Sequence, residues 1–199
     1  ITVLEADIAQ PRIGLSPSAF DRLADEVDVI VHAAASVNWV QPYARLRPAN
    51  VTSVRELLRL ACRHHAKSFH FVSSLAACYS TIGPREISEN DDLIADVDGI
   101  HLAYAKSKCV AESLLRSAAE RGLAGSIIRP ALISGDSHNG ISNTGDLVSA
   151  LIKACVQMNA APDLDWLLDF LPVDFAADAI ARLVLDFASK ELRCFNLAN

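Results

Sequence analysis

With 199 residues the chain is long enough for one domain with a sizeable core, and its 51% hydrophobic and 21% charged residues exclude a disordered polymer. A net charge of −6, with no basic run of five, argues against nucleic acid or an anionic membrane surface as the main partner. No apolar stretch approaches the roughly 18 residues of a membrane span, and Ile1 to Asp7 lack the basic lead and apolar core of a signal peptide.

Along the chain, apolar runs alternate with helical patterns, which predicts a parallel α/β sheet in one domain over 1–199. Thr2 to Glu5 reads as a short strand, Ser18 to Glu26 as a helix and Val27 to His32 as a strand running into Ala33-Ala34-Ala35. Val51, Val54, Leu57, Leu58 and Ala61 recur at helical spacing. The strand Ser68 to Val72 ends on Ser73-Ser74, and a long helix from about Leu102 to Arg121 is stopped by Gly122. Ser126 to Arg129 is the next strand, closed by Pro130, and Gly135 to Gly145 is loop-like. Helices over Asp146 to Met158 and Phe175 to Phe187 follow, then a final strand over Arg193 to Leu197.

The five cysteines, Cys62, Cys78, Cys109, Cys155 and Cys194, are odd in number and form no C-x-x-C unit. Free thiols in a reducing cytoplasm are therefore expected. His64 and His65 fall where a helix should end and His70 in a strand, so no metal site is expected.

Tyr104 and Lys108 lie four residues apart on the long predicted helix, one turn apart on one face. A phenol titrates near 10, too high for easy proton exchange at neutral pH, and a neighbouring ammonium is expected to bring it down. With three Tyr and five Lys in the chain, chance supplies about 0.08 such pairs. The bland alternative is an exposed helix that happens to carry both. Thirty residues upstream, Ser73 and Ser74 close a strand, where groups at the carboxyl ends of a parallel sheet face the ligand crevice. One of the two serines is expected to be a turn cap, and Ser74 is the preferred donor to the oxygen that Tyr104 protonates.

Ser74 and the Tyr-x-x-x-Lys unit of Tyr104 and Lys108 resemble the extended short-chain dehydrogenase/reductase family, a doubly wound, Rossmann-type parallel sheet. The segment Val31 to Asn38 resembles that family's strand and loop beside the cofactor, with Ala33, Ala34 and Ala35 as contacts. Asn50 matches its helix asparagine, implying a link towards Lys108 or a plain cap. Pro130, Ala131, Leu132 and Ile133 match its nicotinamide-side segment, and Asp7, with Ile8 after it, its acidic residue beside the adenine. A narrower likeness, carried by Ala33 to Val40, Gly14-Leu15-Ser16, Pro162 to Trp166 and Leu171 to Phe175, is to terminal thioester reductase domains of peptide and polyketide assembly lines and carboxylic acid reductases. The resemblance implies NADPH-dependent reduction of an acyl or peptidyl thioester on a phosphopantetheinyl carrier protein, giving an aldehyde, with reduction on to an alcohol left open. Ser74 and Tyr104 would serve the oxyanion, Lys108 the ribose, and 134–174 the substrate side. Two alternatives stand beside it: another extended short-chain dehydrogenase, such as a nucleotide-sugar epimerase or ketoreductase, and a non-catalytic scaffold that binds a carrier domain.

One family feature is missing. None of the eight glycines opens a helix after a first strand, so the Gly-rich turn that holds the pyrophosphate is not found. In the doubly wound order, Thr2 would begin the third strand and Val27 the fourth, leaving a gap of roughly 14 Å where two strands belong. The expectation is that these residues are a segment of a longer protein with its glycine-turn unit upstream.

Overall fold

A computed structural model describes every residue except Arg85, Leu164, Trp166, Leu167 and Asn199. Four strands, β1 (Val29–His32), β2 (Ser68–Val72), β3 (Gly125–Pro130) and β6 (Leu192–Leu197), form one all-parallel sheet in the order β1-β2-β3-β6. Its register pairs Ile30 with Phe69, Phe71 with Ile127 and Ile128 with Phe195. A parallel pair, β4 (Leu132–Ser134) and β5 (Phe170–Pro172), stands beside it.

Alternation along the strands decides which helices cover which face. Ile30, Phe69, Phe71 and Ile127 point into one core with α1 (Pro17–Glu26), α3 (Ser53–Ala61) and α4 (Ala103–Ala119). Burying phenylalanines as completely as Phe69 and Phe71 contributes about 1.5–3 kcal/mol each. The alternate residue His70 faces the other side, where its ring meets Phe187 edge-on just beyond α6 (Val173–Leu185). On β1 that second face is open, with Val29 and Val31 exposed. Gly125 is required where β3 meets β2, since a Cβ there would stand 1.8 Å from the Phe69 carbonyl oxygen. Gly122, at φ +94°, takes the left-handed turn that ends the stretch after α4.

Most predicted elements appear within two residues of their expected bounds. The strand over Thr2 to Glu5 does not: it joins no ladder, and Val3 and Leu4 are exposed. In the predicted order it is three strand positions away from β1, with two strands between them, so it has no neighbour among these residues with which to pair. Besides several short helical turns, two features went unpredicted. One is the β4–β5 pair; the other is a π-turn over Pro48–Thr52 between the short helix α2 (Tyr43–Arg47) and α3. All five cysteines are free, as expected. Among the described residues no helix is long and apolar enough to cross a membrane, and no cluster of metal-ligating side chains forms.

Candidate active site

The carboxyl ends of β1, β2 and β3 open on a cleft of about 620 Å³. Its walls include Ala33 and Ala35 after β1, Ser73 and Ser74 after β2, Tyr104 and Lys108 from the first turns of α4, and Pro130 to Ser134 after β3. Opposite stand Asp146, Leu147, Val148, Ser149 and Ile152 of α5 (Leu147–Met158) and its cap, with Phe170 of β5. The structure thus gathers Ser74, Tyr104 and Lys108, which the sequence spreads over more than thirty residues.

Helical spacing puts Lys108 and Glu112 on the buried face of α4. Lys108 Nζ donates to the Val72 carbonyl at 2.7 Å, lies 4.7 Å from the centre of the Phe71 ring and 5.9 Å from that of Tyr104. Burial pushes Lys108 down to about 8, against the Glu112 carboxylate, which acts to raise it. Tyr104 departs from the sequence expectation: burial pushes its phenol up to about 12 instead of the ammonium pulling it down. Lys108 is committed to a carbonyl, so desolvation of the phenolate dominates. A phenol with this value stays protonated at neutral pH, the state that a proton donor needs.

The two serines separate cleanly. Ser73 is buried, and its hydroxyl donates to Glu112. Ser74 caps the short 3-10 turn Leu75–Cys78 by accepting from the Ala76 amide at 3.2 Å. The cap role therefore falls on Ser74 itself, yet it uses only an acceptor lone pair and leaves the hydroxyl proton free for a ligand oxygen.

Asn50 sits in the π-turn, 2% exposed. Its Oδ1 accepts from the Ser36 amide at 2.7 Å, and its Nδ2 donates to the Ser36 carbonyl and to Ser107 Oγ. Ser107 Oγ in turn donates to the Tyr104 carbonyl at 2.6 Å. These bonds tie the loop after β1 to the first turn of α4 through Asn50 and Ser107.

The remaining expected contacts divide. Ala33, Ala35, Pro130, Ala131, Leu132 and Ile133 line the cleft, whereas Ala34, Asp7 and Ile8 do not. Asp7 accepts from the Ala9 amide and is exposed. The segment Pro162 to Trp166 lies partly outside the described residues, at Leu164 and Trp166. Sequence reasoning missed the buried pair Glu112 and Arg129, joined by Nη2 to Oε2 at 2.6 Å. A signal for it existed: a Glu one turn past Lys108 and an Arg ending an apolar strand.

A parallel sheet with helices on both faces and a cleft at its strand ends defines a Rossmann-type protein. Residues 1–180 match the NAD-binding family model described as Male sterility protein, and the chain belongs to that family. It is 36% identical over 196 residues to the large subunit of L-2-aminoadipate reductase from Candida glabrata, covering 93% of this chain and 14% of that protein. Over 178 residues it is 39% identical to a linear gramicidin synthase from Brevibacillus parabrevis, covering 89% of this chain and 4% of that one. The terminal R domain of the myxalamid PKS-NRPS biosynthetic pathway superposes with a TM-score of 0.90 at 40% identity. The reductase domain of a nonribosomal peptide synthetase from Mycobacterium tuberculosis does so at 0.77 and 26%. Both superpositions cover 98% of this chain and 50% of the solved one, so the chain spans half the length of these structures.

The cleft fits the nicotinamide–ribose end of a dinucleotide. An ammonium has three N–H donors; the Val72 carbonyl takes one on Lys108 and leaves the others for ribose hydroxyls. Tyr104 and the run Pro130 to Ile133 flank the same space. No described glycine forms a pyrophosphate cradle at a helix start.

Proposed function

We infer that these residues form the reducing centre of an enzyme that releases a carrier-bound acyl or peptidyl thioester as an aldehyde, using NADPH. One observation carries the reading: Ser74, Tyr104 and Lys108 share a cleft whose opposite wall, α5, is rich in apolar side chains. The relatives named as peptide-synthetase reductase domains and aminoadipate reductase support it.

Bound NADPH would supply the hydride for the thioester carbonyl carbon. Ser74 donates a hydrogen bond to the carbonyl oxygen, where negative charge develops as the carbon becomes tetrahedral. Tyr104, protonated up to about pH 12, gives that oxygen its proton. The carbon–sulfur bond then breaks as the hydroxyl gives up its proton and becomes the aldehyde carbonyl, and the departing sulfur takes up a proton to leave as the carrier thiol. Lys108 would hold the ribose hydroxyls beside Tyr104, and Ala33, Ala35 and Pro130 to Ile133 would flank the nicotinamide. Within 134–174, α5 and β5 supply the substrate-side wall, and the phosphopantetheinyl carrier docks at this side of the cleft.

The intact natural polypeptide, incubated with NADPH and an acyl-thioester carrier protein, is expected to consume NADPH and yield aldehyde. Turnover of a free sugar nucleotide or ketone, with none of the thioester, would sink the reading. NADPH bound without any turnover would leave only a scaffold role.

A further inference from the structure

Beneath the reacting groups lies a knot of buried polar side chains that the mechanism above does not use. Glu112 accepts from Ser73 Oγ, from Arg129 Nε at 3.1 and 3.2 Å, and from Arg129 Nη2 at 2.6 Å. Arg129 Nη1 also reaches Asn196 Oδ1 on β6 at 3.5 Å. Arg129 is 0% exposed, Glu112 2% and Ser73 3%.

Each member comes from a different element and adjoins a residue assigned above. Ser73 precedes Ser74, Arg129 precedes the run Pro130 to Ile133, and Glu112 follows Lys108 by one turn of α4. Stability alone is a poor reason for such a knot, because replacing a buried ion pair by apolar groups of similar volume is often neutral or stabilising. What it does supply is a fixed relation among three segments that must meet at one reacting carbon.

We propose that Glu112 is a positioning residue of the reducing site: through Ser73 and Arg129 it fixes the serine turn and the nicotinamide-side segment against α4, with its carboxylate one helical turn from Lys108. The proposal rests on the assignment of Ser74, Tyr104 and Lys108 made above. Lys108 is faced by Tyr104 and Glu112 from α4, by His32 from β1, by the Val72 carbonyl and Phe71 ring from β2, and by Arg129 of β3 through Glu112. Burial, then the charge of Lys108, pushes His32 down to about 4, so it is neutral near pH 7. Tyr104 is a neutral phenol there, which leaves Glu112 as the anion among these groups.

The test uses the intact natural polypeptide and measures the NADPH dissociation constant by nucleotide fluorescence from pH 6 to 10. Wild type is compared with Glu112→Gln and with Glu112→Gln/Arg129→Met, which leaves no unmatched buried charge. In wild type, affinity falls as Lys108 loses its proton near pH 8. In Glu112→Gln the fall is expected about one pH unit lower, the shift that loss of a nearby opposite charge brings, and lower by less in the paired variant, which also removes the Arg129 cation. The paired variant should keep its unfolding midpoint while its thioester turnover drops. Ser73→Ala, which disturbs no charge, should lower kcat and leave the NADPH profile unmoved; it also decides the positioning role if the charge variants fail to fold. An unshifted NADPH profile together with wild-type kcat in the paired variant, or wild-type kcat in Ser73→Ala, would overturn the proposal. A wild-type protein that binds NADPH but reduces no thioester would overturn the proposed function, while the binding profiles would still decide the role of Glu112.

Discussion

The wall of the cleft built from β2, β3 and α4 is buried and cross-bonded, whereas α5, on the opposite side, has no buried residue. On the first wall Lys108, Glu112, Ser73 and Arg129 are each at most 3% exposed, and each has a hydrogen-bonding partner. On the second, Ile152 and Val156 are 59% and 75% exposed, and Asp146 holds the helix start by accepting from the Ser149 amide. Chemistry requires groups fixed to fractions of an ångström, which buried hydrogen bonds provide. Selecting an acyl group needs only a shaped apolar surface, which the exposed face of α5 can offer.

The contrast can be broken in order of expected effect. Tyr104→Phe removes the proposed proton donor and should cut thioester turnover by about 10²–10⁴-fold, with little change in NADPH affinity. Turnover within a few-fold of wild type would place the proton donor elsewhere. Arg129→Met strands the Glu112 carboxylate in the core, and should lower stability by about 3–5 kcal/mol in urea unfolding. Asn50→Ala leaves both backbone groups of Ser36 without their side-chain partner, and should cost about 1–3 kcal/mol, read as a fall in Tm.

A pH experiment sharpens the same wall. Lys108 has a folded value of about 8 against an ordinary 10.5, so between these values the unfolded chain binds the proton that the folded chain has lost. Stability from this group therefore rises with pH across that window. Unfolding at pH 8 and pH 10 should show the rise in wild type and a flatter response in Lys108→Met. The smallest effect belongs to the other wall: Ile152→Ala should change stability by no more than about 0.5 kcal/mol. It should raise KM for an apolar acyl thioester, measured against NADPH consumption, and leave the KM for NADPH unchanged.

How far the sequence could be read depended on the length over which each signal extends. The strand Ser68–Val72 and the helix Ala103–Ala119 were legible because apolar periodicity runs through them and punctuation bounds them. Leu132–Ser134 and Phe170–Pro172 are three residues each, too short to show a period, and they pair across more than thirty residues. The π-turn was invisible because its extra residue alters hydrogen bonding and not composition. Ser73 and Ser74 looked alike in one dimension; only the depth of Ser73 against Glu112 separated them.

The Tyr104–Lys108 spacing, the serines after β2 and the alternation of strands and helices are local features, and by themselves they determined the sheet class and singled out the residues that meet at the cleft. The charge states were decided by tertiary structure. Burial raised the Tyr104 phenol where the spacing with Lys108 had predicted a fall. The same burial made Glu112 and Arg129 partners across seventeen residues of chain. Desolvation depends on what surrounds a side chain in space, and no spacing along the chain encodes that directly.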